Sequence, residues 1–256
     1  MPIAMVRHTV TFLLFVFCVH FANGSTRAEA LSVAVASNFS APMKVIAQAF
    51  ERETGHTVSL AFGATGQFYA QIRNGAPYAV LLAADEATPA KLESEGLGVA
   101  GTRFTYATGR LVLWSKREGL VDNRGDILRS GAFDKIAMAH PKLAPYGAAA
   151  LEVIDKMGLS AAITPKIVQG TNISQTFQFV STGNATLGFV ARSQVFEGGT
   201  LKGGSGWVLP SHLHRPIQQD VILLNPGKDS PAAQALMQYL RGERARAVIR
   251  SFGYEG

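Results

Sequence analysis

Four short stretches share one chemistry: SNFS at Ser37–Ser40, GATG at Gly63–Gly66, APYG at Ala144–Gly147 and GTNIS at Gly170–Ser174. Each places small, hydroxyl or amide residues after an apolar run and before a segment with helical spacing. The first N–H groups of a helix have no partner inside it, and the helix dipole adds about half a positive charge there. Such a start binds an anion without lysine or arginine. Taken singly, each stretch is also an ordinary cap, because Ser, Thr, Asn and Gly are the usual residues at that position. Two stretches come from each half of the chain, so a cleft between halves would gather all four around one ligand.

Energetics narrow the ligand. A dianion stripped of water and left unpaired costs tens of kcal/mol, and each hydrogen bond to a charged group returns about 1.5–3 kcal/mol. Several converging donors are therefore required. Donors without acceptors select a fully deprotonated oxyanion, since a protonated one needs a carboxylate to receive its O–H. That favours sulfate, molybdate or tungstate over phosphate, provided no acid lines the site. Asp85 is the acidic residue on which this proviso rests.

The elements that must position these residues alternate. Leu31–Ser37 reads as a buried strand, and the segment after it as a helix capped by Ser40, with Met43, Ile46, Ala47 and Phe50 on its apolar face and Gly55 as its stop. His56–Ala64 is a strand, and the next helix has Thr65 as cap. Ala79–Asp85 is a buried strand before a short helix. The theme restarts at Arg110: strands at Arg110–Lys116, Lys135–His140 and Ile163–Gly170, and helices over Tyr146–Gly158 (stripe Leu151, Ile154, Met157) and Asn172–Gly183. Glu197–Trp207 reads as a glycine-rich surface loop, Arg215–Leu224 as a strand and Pro231–Gly253 as a closing helical segment. The expected fold is α/β and two-lobed. Each lobe is a mixed, mostly parallel sheet flanked by helices, and two crossing strands form the hinge. Residues 31–109 with 217–256 form one lobe and 110–216 the other.

The N-terminus reads as an export signal over residues 1–30. Arg7 and His8 precede the apolar run Phe12–Val19, and Ala28-Glu29-Ala30 is a small-x-small cleavage site. The mature chain would begin at Leu31, with a second cut available after Gly24. The single cysteine, Cys18, falls inside the signal, which excludes a disulfide framework. The 256 residues are 47% apolar and 16% charged with net charge +6. No lysine or arginine stripe accompanies that charge, so nucleic-acid binding is not expected. The basic run Arg241–Arg250 reads as the solvated face of a helix. His212 and His214 would share one side of a strand, but two histidines without a third ligand do not make a metal site. The sequence GGTLKGGSG lacks a P-loop ending. Trp114 and Trp207 read as packing residues.

At this point the chain resembles the periplasmic molybdate-binding proteins of ABC-type uptake systems, members of the two-lobed solute-binding proteins. The resemblance spans the whole mature chain and is carried by VAVASNFSAPM, FGATGQFYAQIRNGAP, LLAAD, HPKLAPYG, TNISQTFQFVSTGNATLGFVA and RPIQQDVILL. It implies a tetrahedral oxyanion, molybdate or tungstate, held by neutral donors and delivered to a membrane permease, by a monomer that needs no cofactor, metal or catalysis. It further implies that Asn38, preceded by Ser37, offers its side chain. Thr65 would give a hydroxyl, with a backbone N–H from Ala64 or Thr65, while Tyr146 gives a hydroxyl or N–H and Ile173 an N–H. One departure stands out: some members have a ligand-contacting tyrosine where this chain has Ala191, and Tyr146 would replace it. The competing readings are a same-fold protein for another oxyanion such as sulfate, an exported hydrolase with Ser37 or Ser40 as nucleophile, and a sensor module. Against the hydrolase, VASNFS is not G-x-S-x-G and no histidine–acid pair is evident.

Overall fold

The computed structural model describes residues 28–255. The expected signal and Cys18 therefore lie outside the described residues, except for Ala28–Ala30. In chain order the elements are β1 (Ala30–Ala36), α1 (Ser40–Thr54), β2 (Thr57–Gly63), α2 (Thr65–Arg73), β3 (Val80–Leu82), α3 (Ala87–Ser94) and β4 (Phe104–Gly109). Then come β5 (Leu111–Ser115), α4 (Asp126–Ser130), β6 (Ile136–Ala139), α5 (Pro145–Lys156), α6 (Ser160–Ile163), β7 (Ile167–Gly170), α7 (Ile173–Ser181), β8 (Leu187–Ala191) and α8 (Arg192–Val195). The chain closes with β9 (Phe196–Glu197), β10 (Thr200–Leu201), β11 (Ser205–Val208), β12 (Ile217–Leu223), α9 (Pro231–Arg241) and α10 (Glu243–Ser251).

Two five-stranded mixed sheets result, in the orders β2-β1-β3-β12-β4 and β11-β5-β8-β6-β7. Their plans correspond. In each, a parallel trio (β2-β1-β3, β7-β6-β8) is extended by two antiparallel strands (β12 and β4, β5 and β11). Parallel strands are covered on both faces, and the central runs are apolar throughout: Val33–Ala36 and Ile136–Ala139 are almost completely buried. The chain passes between sheets at Arg110, between β4 and β5, and again before β12. Ile217 pairs with Gly109, so the two crossings lie side by side. The last helices pack with α1 on the first sheet, through Phe50, Leu236, Met237, Leu240 and Ile249.

Six local readings need correction, the first two being that Ala64, not Thr65, holds the cap position of α2 and that only Ile167–Gly170 of the segment Ile163–Gly170 is strand, after a 3-10 turn over Thr164–Lys166. Ser40 is not a cap: a 3-10 turn over Ser37–Phe39 follows β1 directly, and Ser40 is already helical. On α5 the inward residues are Tyr146, Ala149, Ala150, Val153 and Ile154, while Leu151 is 37% exposed. The helical face starts one turn earlier than the stripe read from Leu151. Part of the glycine-rich segment is an edge strand, because Ser205–Val208 pairs with Val112–Ser115. Finally, His212 lies within a 3-10 turn over Ser211–Leu213 and His214 just after it, rather than the two sharing a strand face, and buried His214 sets Nδ1 at 2.7 Å from the Arg215 carbonyl oxygen.

Candidate functional site

The four helix starts meet. Ser37 and Asn38, Ala64 and Thr65, Ala144 to Tyr146, and Asn172 with Ile173 line one small cavity between the two sheets, together with Ala36, Gly63 and Ala84. All six sequence-predicted residues are on this wall, which carries no Asp, Glu, Lys, Arg or His. The convergence follows from topology. The parallel trios direct the C-terminal ends of β1, β2, β6 and β7 toward the crevice, and a helix begins after each.

Each junction leaves different donors. After β2, Ala64 is extended and its N–H is occupied by Gln67 Oε1 at 3.2 Å. The Ala64 amide is therefore not an available donor, and the first open one is that of Thr65. Thr65 is 1% exposed, and its Oγ1 accepts the Ala84 N–H at 2.9 Å, leaving the hydroxyl proton to be donated elsewhere. Before α5, Ala144 gives its N–H to the His140 carbonyl, and Pro145 has none. Tyr146 thus presents the first open N–H. Before α7, Asn172 caps the helix by accepting the Gln175 N–H at 3.0 Å, and Ile173 follows with its own N–H open. At the first junction Ser37 Oγ makes no hydrogen bond to a described residue.

The side-chain polar groups of Asn38 and Tyr146 are engaged away from the cavity. Both side-chain protons of Asn38 are engaged, with Gln219 Oε1 at 2.8 Å and the Tyr254 hydroxyl at 3.0 Å. Its amide turns toward β12 and the chain end, so Asn38 borders the cavity through its backbone. The Tyr146 hydroxyl likewise lies at the crossing, accepting Gln219 Nε2 at 3.2 Å. A Cβ on Gly109 would come within 2.1 Å of that oxygen, so only glycine fits there. Burial pushes the Tyr146 phenol well above its ordinary pKa, and it remains a proton donor. Ala191 ends β8 with its N–H held by Gln194 Oε1, away from the cavity wall.

Asp85 lies outside this cavity. Its carboxylate accepts the Thr88 N–H at 2.8 Å and the Thr88 hydroxyl at 3.2 Å, and burial nonetheless raises its pKa. It borders a wider cleft next door, which shares Ala84, Ala144 and Pro145 with the cavity and carries Glu86, Lys142, Glu152 and Arg215. The two lobes touch across the cavity mouth. The Gly66 N–H donates to the Leu143 carbonyl at 2.9 Å, the Ser174 hydroxyl to the Ser37 carbonyl at 3.2 Å, and the Ser193 hydroxyl to the Asn38 carbonyl at 3.0 Å. Sequence reasoning missed Gly66, Ser193, Gln219 and Tyr254. Gly66 and Gln219 had a signal, as the last residue of GATG and as a member of RPIQQDVILL; Ser193 and Tyr254 sit in no recognisable pattern.

The arrangement can hold a small anion with neutral donors, and its wall offers no histidine or carboxylate to activate a serine. Comparison with known proteins points the same way. The model of the family described as bacterial extracellular solute-binding protein matches residues 31–255. The molybdate-binding protein ModA of Azotobacter vinelandii is 56% identical over 230 residues, covering 90% of this chain and 91% of that protein. ModA of Rhodobacter capsulatus is 48% identical over 221 residues, 86% of each. The solved structure of a periplasmic molybdate-binding protein from Azotobacter vinelandii superposes with a TM-score of 0.85 at 38% identity, covering 88% of this chain and 99% of that one. The chain belongs to the family of bacterial extracellular solute-binding proteins.

Proposed function

We propose that this protein captures molybdate outside the cytoplasm and delivers it to an ABC permease. One observation carries the reading: helix starts from two separate sheets converge on a single cavity whose wall has no acidic, basic or histidine side chain. A dianion there is paired by first-turn N–H groups of Thr65, Tyr146 and Ile173, by the Thr65 and Ser37 hydroxyls and by the backbone at Asn38. The absence of a carboxylate acceptor on that wall favours an anion that carries no proton. The relatives at 56% and 48% identity, both molybdate-binding by name, support this choice over sulfate. Tungstate has the same shape and charge and belongs to the same reading.

The lobes are residues 31–109 with 217–256, and 110–216, moving about the paired crossings at Gly109–Leu111 and Ile217. Closing buries the anion and gives the permease a liganded shape to distinguish. The protein acts as a monomer, exported by its N-terminal signal to the periplasm. Among the described residues no helix is long and apolar enough to cross a membrane. Binding, not catalysis, is the function.

Calorimetric titration of the exported protein against molybdate, tungstate, sulfate and phosphate tests this. Tight binding of molybdate and tungstate with weak or absent binding of phosphate is expected. Preference for phosphate, or no oxyanion binding at all, refutes it.

A further inference from the structure

We propose that Tyr254 is a positioning residue for the first helix mouth, and that the chain end, Gly253–Glu255, is a third tie between the lobes that slows release of the bound oxyanion. This rests on the binding reading above and adds to it a device outside the cavity wall.

The observations meet at the Asn38 peptide. The Tyr254 hydroxyl donates to the Asn38 carbonyl at 2.7 Å and accepts from Asn38 Nδ2 at 3.0 Å. It also lies 3.0 Å from Ser193 Oγ, on α8 of the other lobe, and Ser193 donates to the same Asn38 carbonyl at 3.0 Å. The phenol ring meets Phe39 edge-on, with centroids 5.4 Å apart. One side chain from the chain end therefore grips the turn of the first lobe and touches the second. Its neighbours do the same at the crossing. Glu255 exchanges backbone hydrogen bonds with Thr108 on β4, at 2.6 and 3.1 Å, while its carboxylate pairs with Arg110 at 2.8 Å, just beyond the crossing point. The Gly253 carbonyl receives Arg192 Nη1, from α8, at 3.4 Å.

The consequence concerns release more than capture. Asn38 has its side-chain protons and its carbonyl engaged by this network, so its backbone is held against the cavity in one orientation. The Ser193 contacts join residues of different lobes, and opening must break them before the anion leaves. On this proposal they re-form as the lobes close over the docked anion, so their loss raises the dissociation rate and leaves the association rate nearly unchanged.

The test uses the full exported chain and sodium molybdate. Dissociation and association rates are measured by stopped flow for wild type, Tyr254→Phe, Ser193→Ala and the double variant. Ligand-free thermal midpoints are recorded in parallel. Phe keeps the ring against Phe39 and removes only the hydroxyl. Tyr254→Phe is expected to release molybdate about five- to tenfold faster, with association within about twofold, and the double variant to fall short of the product of the singles. Tyr254→Phe and Ser193→Ala both releasing at the wild-type rate would overturn the proposal, even with lowered thermal midpoints, because that is a purely structural role. Wild type failing to bind molybdate would instead overturn the binding reading on which it stands.

Discussion

The backbone N–H of Ala84 donates to Thr65 Oγ1 across 2.9 Å, joining the end of the β3 segment to the start of α2. Both groups are buried, and the bond fixes the polarity of the hydroxyl: with an acceptor site filled, its proton is free for the cavity. Thr65→Ala removes a donor and leaves the Ala84 N–H buried without a partner. Molybdate affinity should fall by about 1–3 kcal/mol, and the ligand-free protein should lose a comparable amount of stability. Thr65→Ser should preserve both. Calorimetry and thermal unfolding read the two effects separately, and a fully active Ala variant would remove Thr65 from the site.

Gly66 stands where α2 meets the other lobe. A Cβ there would lie 3.1 Å from both Cα and O of Leu143, and the Gly66 N–H already donates to that carbonyl. Alanine favours a helix over glycine by about 1 kcal/mol, so Gly66→Ala should leave the ligand-free protein as stable or slightly more so. Closure has to push the lobes apart by tenths of an ångström at that point. The expected result is a loss of affinity of about tenfold without loss of stability, an opposition that few substitutions produce. Affinity at the wild-type level would mean that the Gly66–Leu143 contact yields freely.

Tyr146 has two separable parts. Its N–H belongs to the first turn of α5, and its hydroxyl accepts Gln219 Nε2 at the crossing. Tyr146→Phe keeps the first and deletes the second, leaving a buried amide donor unpaired at a cost of about 1–3 kcal/mol to the closed protein. Binding should weaken yet persist, and stability should fall. Abolished binding with unchanged stability would place the hydroxyl on the anion instead.

The cavity wall titrates nowhere in the ordinary range. It has no histidine or carboxylate, and burial raises the Tyr146 phenol well above its usual value, while that of nearby Tyr254 is pushed up to about 12. A raised phenol pKa keeps the donor protonated as pH increases, so the donor set is constant. Molybdate affinity at fixed ionic strength should be flat between about pH 6 and pH 9, below the ordinary tyrosine pKa of about 10. A midpoint inside that window would reveal a titrating group that the cavity wall does not contain.

What could be read from sequence, and what could not, divides along physical lines. The helix mouths were legible because strand, polar turn and helix are local patterns, and a parallel trio must send its strand ends to one crevice. Every residue expected at the anion does line one cavity. The roles within it were less legible. Whether the Ala64 or the Thr65 amide is open depends on Gln67 folding back, and the direction of the Asn38 side chain depends on Gln219 and Tyr254, which lie 181 and 216 residues away. Such long-range partners leave no periodicity. The edge strand Ser205–Val208 was hidden for a related reason: the glycines before it and Gly206 within it read as loop, while its place is fixed by the ladder to β5 and by Ser205, which accepts the Val121 N–H.

The same distinction bears on where the folded domain begins. A cut after Ala30 suits the small-x-small pattern, yet the residues it would remove are built into the first sheet. The Glu29 carbonyl accepts the Thr57 N–H at 2.9 Å, its carboxylate accepts the Ser230 hydroxyl at 2.6 Å, its N–H reaches His56 Nδ1 at 3.3 Å, and Ala30 pairs with Thr57. Each bond contributes about 0.5–1.5 kcal/mol, less here for partial exposure, so a chain starting at Leu31 should be about 1–3 kcal/mol less stable than one starting at Ser25. At about 2–4 °C per kcal/mol for a domain of this size, its thermal midpoint should fall by roughly 2–12 °C, with molybdate affinity unaltered because the cavity is at the other end of β1. Equal midpoints would show that Glu29 contributes nothing to the fold.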